Sequence, residues 1–162
     1  MHITVAGPGG QPLESEVLKN LRRAIDAVRD PAQDIIIARV DPAKSGAFNV
    51  SAQVLIKPGY LWDKVRRTVE DTLRVSFAFD NRQLGQPVTA AEIMAVIQAC
   101  EGVEAARLKY LYLDGETPTL NSTLDARQAY LDESVDPPII RPAEIRFINP
   151  GVGGIECQEW VG

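Results

Sequence analysis

Histidine is almost absent from this chain: His2 is the single one in 162 residues. A histidine-based triad or a histidine metal site would have to be built on the second residue. The other usual signatures of chemistry are missing too. No Gly-x-Ser-x-Gly elbow and no phosphate loop ending in Gly-Lys-Ser/Thr occurs. The Gly-rich stretches 7–10 and 151–154 lack the strand-then-helix setting of a phosphate cradle and read as turns. No apolar run approaches the roughly 20 residues that span a bilayer. No basic region followed by an apolar core opens the chain, so the default compartment is the cytoplasm. In that compartment Cys100 and Cys157, 57 positions apart among apolar residues, read as buried free thiols rather than a disulfide.

Positive charge is scarce in one place. Residues 1–114 hold 14 basic and 14 acidic side chains, whereas residues 115–162 hold 3 and 8. The last third therefore carries the whole net charge of −5. An acidic surface repels phosphate backbones, so nucleic acid is a poor partner. Asp132, Glu133 and Asp136 cluster there, but without the alternating acids, central Gly and closing Glu of a calcium loop. They read as a solvated acidic loop. Two Asn-x-Ser/Thr tripeptides, at Asn49 and Asn121, carry no information without a secretory signal.

Apolar material is ample: 45% hydrophobic and 24% charged residues suit a globular protein. The clearest passage is 85–103. Thr89 and Glu92 form a capping box ahead of an apolar run, and Val88 with Ile93 can close a hydrophobic staple. Gly102 supplies a left-handed stop before a strand at 103–113. Upstream, residues 2–5 read as a strand. A helix follows over about 12–29, with Leu13, Val17, Leu18, Leu21, Ala24, Ile25 and Val28 on one stripe. Residues 35–40 read as a buried strand broken by Asp41-Pro42.

Strict alternation from Phe48 to Ile56 marks a strand with one buried face. Leu61, Val65, Val69, Leu73 and Phe77 recur every four residues and predict a helix over 61–77, with i,i+4 pairs Asp63–Arg67, Arg66–Glu70 and Glu70–Arg74 outside. Residues 114–142 are rich in Thr, Asp, Pro and Ser and read as a long loop. Strands at 144–148 and 155–160, joined by Asn149-Pro150-Gly151, read as a hairpin. Tyr60, Trp62 and Trp160 are either interface aromatics or core packing.

The expected architecture is α+β. A small β-α-β unit, residues 1–42, is read as the remnant of a domain. Residues 43–162 form a second α+β domain. In it two helices lie on one face of a mainly antiparallel sheet, followed by the long loop and the terminal hairpin. No catalytic, cofactor-binding or metal-binding residue is assigned.

Five passages in order resemble the baseplate J-like proteins of contractile-tailed bacteriophages, in the C-terminal half of that family. They are Ile3-Thr4-Val5 with Gly10-Gln11-Pro12; Arg29-Asp30-Pro31-Ala32-Gln33-Asp34-Ile35; Val54-Leu55-Ile56-Lys57-Pro58-Gly59-Tyr60; Leu84-Gly85-Gln86-Pro87-Val88-Thr89-Ala90-Ala91-Glu92-Ile93; and Glu101-Gly102-Val103. The resemblance covers roughly residues 1–113, more loosely the terminal strands. The family's N-terminal region and a counterpart of 114–142 are missing.

It implies a structural wedge component of the tail baseplate, made in the bacterial host cytoplasm. Such a protein acts in assembly through contacts with other wedge and hub proteins, self-associates in a ring, and has no catalysis, cofactor or membrane contact. The alternative is a regulatory α+β domain that binds a small ligand in a concave apolar pocket.

Overall fold

The computed structural model describes residues 2–10, 13–28 and 39–161. Strand β1 (His2–Val5) runs parallel to β2 (Arg39–Pro42), with helix α1 (Ser15–Val28) between them. This is the expected β-α-β unit. The ends of the predicted helix at Pro12 and Arg29, and the predicted strand over 35–38, lie outside the described residues. Asp41-Pro42 does not break the strand; it finishes it. Pro42 is the last paired residue, where a missing N–H costs least, and Ala43 N–H resumes bonding to the Val5 carbonyl at 2.6 Å.

One residue later β3 (Lys44–Ile56) begins, the organising strand of the molecule. Phe48, Val50, Ala52 and Val54 face the core as read and are at most 1% exposed. The strand does not have only one buried face, however: Asn49 and Ser51 on the other side are 6% and 4% exposed, held by Asp114 and Glu156. Over the core face pack α2 (Trp62–Ser76) and α3 (Ala90–Gln98). Val65, Val69, Leu73 and Phe77 form the buried stripe of α2, and Phe77 meets Phe48 edge to face at 5.7 Å. Leu61 drops out of that stripe. It sits at the N-cap, before the helical rotation begins, and is 66% exposed. Of the three expected i,i+4 pairs, Arg66–Glu70 forms, at 3.6 Å; the other two do not form among the described residues.

At the start of α3, Thr89 Oγ1 accepts from Glu92 N–H at 3.1 Å, so the cap is made. The reciprocal arm is not. The Glu92 carboxylate turns instead to Arg82 Nη1 at 2.9 Å. Val88 and Ile93 are both fully buried, as a staple requires. Gly102 takes φ +86° in a turn closed by Val103 N–H to Cys100 O, three residues beyond the C-cap Ala99. A Cβ there would lie 2.6 Å from Tyr60 Cδ1.

Strand β5 (Val103–Leu113) pairs antiparallel with β3 along its length. Register shifts leave Glu104 and Lys109 as extra residues, so two charges escape the ladder through bulges.

The terminal strands β9 (Glu144–Ile148) and β10 (Ile155–Glu159) exist where expected, but they do not form a hairpin. Both run parallel to β3 on the edge opposite β5, β9 against 44–48 and β10 against 50–54. Residues 149–154 loop out and return to the same edge. Asn149 N–H bonds Phe48 O and Val50 N–H bonds Gly154 O, each at 2.9 Å. The loop closes on itself through Gly154 N–H to Gly151 O at 3.2 Å, so the turn residues serve an excursion rather than a reversal. Asn149 Nδ2 also ties it to Asn49 Oδ1 and Asp114 Oδ1, at 3.0 and 3.1 Å.

Residues 114–142 are more structured than a loop. They hold β6 (Thr123–Leu124), which pairs with β4 (Val88–Thr89), and a small hairpin of β7 (Tyr130–Asp132) and β8 (Ile139–Arg141). The architecture is α+β; among the described residues there are three antiparallel pairings, and the central sheet is mixed.

Candidate functional site

Two residues before Ile148 the helix-covered face of the sheet turns polar, at Arg146 of β9. Register places Arg146 of β9 beside Gly46, on the face that carries Ile148 and Phe48 two residues on. Arg146 lies across Gly46, where a Cβ would come within 2.5 Å of Nη1. Glycine is what lets the guanidinium lie flat on the strand. Arg146 is 6% exposed, and its Nη2 donates to Glu144 Oε2 at 2.7 Å. Glu144 ties this pair to the segment before the small hairpin: its N–H bonds Arg127 O at 2.8 Å, and Arg127 N–H bonds its Oε2 at 3.3 Å. Arg127 Nη1 reaches the Tyr130 hydroxyl at 3.4 Å, with the guanidinium 5.7 Å from the ring centroid.

These residues line a polar pocket of about 460 Å³, walled by Glu116, Asn121, Thr123 and Asp125. The Glu116 and Asp125 side chains have no hydrogen-bond or ion-pair partner among the described residues. A second, apolar groove of about 250 Å³ lies between Gly9 of the first unit and Phe79, Phe147 and Pro150 of the second. Neither combines the volume and apolar lining expected of a metabolite site.

The residues singled out from sequence are dispersed. His2 lies in β1. Both cysteines are free, Cys100 buried and Cys157 half-buried. Burial, then the nearby Glu70, pushes the Cys157 thiol up to about 12, which leaves it protonated and a poor nucleophile. Asp132 is occupied within the small hairpin. Ser134 and then Arg141, at 2.9 Å, hold its carboxyl below the ordinary value. Glu133 and Asp136 belong to the exposed turn.

Among the described residues no group of three or more His, Cys, Asp or Glu is placed to hold a metal, and no helix is long and apolar enough to cross a membrane. Trp62 packs against the core. Trp160 lies under Arg107, 4.8 Å from its ring centroid, and Tyr60 Oη donates to Glu101 Oε1 at 3.0 Å. Sequence reading passed over Arg146, Arg127 and Glu116, and took Asp125 only as one of the acids of the last third. One signal was available: Gly46 stands inside a strand, where glycine marks a close approach.

Residues 1–38 match the family model described as the Baseplate J-like central domain. The resemblance read from sequence holds over that stretch, which includes β1 and α1. No curated protein matches the chain. The match supports a structural role in a phage baseplate and suggests a non-enzymatic protein.

Proposed function

We propose that this chain is a wedge component of a phage tail baseplate and acts in assembly through protein–protein contacts, without catalysis. The observation that carries the reading is the match of residues 1–38 to the Baseplate J-like central domain. On this reading residues 1–42 are the end of that domain and 43–162 a second one. The partners are other wedge and hub proteins, with copies of the chain arranged in a ring. The protein is made in the bacterial host cytoplasm and carried in the virion tail.

The acidic last third supplies a contact surface for a basic neighbour, since complementary charge steers association and is screened by salt. In support, Glu133 and Asp136 are exposed in the turn of the small hairpin, and Glu116 and Asp125 are exposed beside it. Deleting the reading frame tests the proposal. Tails should fail to assemble a complete baseplate, and the protein should be found by mass spectrometry in purified wild-type particles. Normal infectious particles that lack the protein would overturn it.

A further inference from the structure

We propose that the outer edge of β10 pairs with the same edge of a second copy, antiparallel about a two-fold axis at Cys157, and joins the central sheets of two chains. The inference deepens the self-association in the baseplate reading above and rests on that reading for its setting. Three observations carry it. The first is a bare edge. Gly154 O accepts from Val50 N–H and Trp160 N–H donates to Val54 O, so residues 154, 156, 158 and 160 turn their backbone toward β3. Ile155, Cys157 and Glu159 turn theirs outward, and among the described residues none of these N–H or C=O groups has a partner.

The other outer strands of the sheet are protected. Along β9, Gly85 N–H bonds Glu144 O at 2.7 Å and Ile148 N–H bonds Phe77 O at 2.9 Å. Thr119 and Asn121 close β5 at Leu111, and its bulges at Glu104 and Lys109 interrupt the ladder that an incoming strand needs. β10 pairs with β3 without a register shift, so its free edge is regular.

The second observation is that this strand is complementary to itself. A two-fold axis at Cys157 sets Glu156 opposite Gln158 and Glu159 opposite Ile155, so no like charges stand directly opposite. The outward residues are then the ones that exchange bonds, Ile155 with Glu159 and Cys157 with its counterpart. The third is the charge above the edge. Helix α2 lies over β10, and its Arg66 and Glu70 both sit beside the Cys157 thiol. Their own pair is loose, at 3.6 Å, and their side chains stay 40% and 23% exposed. An axis through Cys157 brings Arg66 of each copy toward Glu70 of the other. Two-fold interfaces must be self-complementary, and a cation and an anion flanking the axis meet that condition. An unrelated extended segment could fill the edge but has no reason to match this charge pair.

Sedimentation equilibrium of the chain should show a reversible dimer. Amide hydrogen exchange should find Ile155, Cys157 and Glu159 protected only at concentrations where the dimer forms. Glu159→Pro removes an outward N–H and leaves the bonds to β3 in place, as proline does on an edge strand, and should weaken the dimer at least about tenfold. Glu159→Gln keeps that N–H and should change the affinity less than about twofold. Arg66→Glu should weaken the dimer at least about threefold, and the swap R66E/E70R should restore it. An amide spectrum unchanged away from β10 certifies the fold of the proline variant; if it fails that check, the charge swap reads the same contact.

A chain still monomeric at about 1 mM, protection confined to other segments, a dimer indifferent to Glu159→Pro, or a swap that does not restore association would each overturn the proposal. A monomer in solution whose chain is found in purified baseplates sinks this contact alone. A dimer in solution whose chain is absent from baseplates sinks the broader reading instead.

Discussion

Helices α1 and α2 are written in the same pattern and end in different surroundings. Each repeats apolar residues at helical spacing over about four turns. In α2 the stripe closes on β3, and Val65, Val69 and Leu73 are at most 2% exposed. In α1 no residue is buried; Val17 is 48% exposed and Val28 84%. Periodicity states that a helix has an apolar face. It does not state what lies against that face. The difference comes from the partner surface: α2 meets a four-stranded sheet with an apolar face, while the unit that holds α1 offers two short parallel strands.

The largest effect that can break this comparison is a matched pair of truncations. Leu73→Ala in α2 removes a fully buried side chain and should cost about 2–5 kcal/mol. Leu21→Ala in α1 removes a half-buried one and should cost well under about 1 kcal/mol. Urea unfolding of the two variants checks this. Equal losses would mean that α1 is as covered as α2.

Next comes Gly154→Ala. A Cβ there would lie 2.0 Å from the backbone oxygen of Asn149, which cannot swing away as a side chain would. The loop 149–154 or its anchor on β3 must shift, at about 1–3 kcal/mol by the same measurement. An unperturbed variant would show that the loop is held less tightly to the sheet than α2 is. Thr89→Ala is smaller. It removes the cap oxygen from Glu92 N–H and should cost about 1 kcal/mol. No change in its melting temperature would show that β4–β6 pairing alone fixes the start of α3.

What was legible follows from the range of each signal. Local rules located β3, α2, α3 and β5, because alternation, four-residue spacing and a cap are properties of a few neighbouring residues. Thr89 is the clean instance. The small failures are local, as at Leu61 and the two unformed i,i+4 pairs; the larger ones involve partners outside the local window. Nothing near Glu92 says that its carboxylate is drawn to Arg82 rather than back to the cap, and Arg82, with a side chain 2% exposed, looks on the page like any loop arginine. Asn149-Pro150-Gly151 has the composition of a hairpin turn. Yet β9 and β10 both take the free edge of β3, and their ladder partners are 100 and 105 residues away. The candidate pocket was illegible for the same reason. Its carboxylates are spread over 116–144 and its cations over 127–146, and they meet through the Glu144 N–H to Arg127 O bond and the Arg127 N–H to Glu144 Oε2 bond.

The last and smallest effects are the pH dependences, which separate periphery from core at opposite ends of the scale. Asp132 in the β7–β8 hairpin has a folded pKa lowered from 3.8, first by Ser134 and then by Arg141. Its contribution is present above the ordinary carboxylate value and is lost as pH falls through the lowered one, because the unfolded chain binds the proton more readily. Acid should therefore loosen the hairpin. Amide signals of Tyr130 and Leu131 should shift below pH 4, in a step that Asp132→Asn removes.

Cys157, on β10 against the helical side, runs the other way. Its pKa is raised from 9.0 to about 12, so its contribution is complete below 9.0 and is lost as pH rises toward 12. Alkaline unfolding should begin in the sheet and be delayed by Cys157→Ser only if the thiol is what titrates. If acid loosened the sheet before the hairpin, the division into a packed centre and a self-supporting periphery would be wrong.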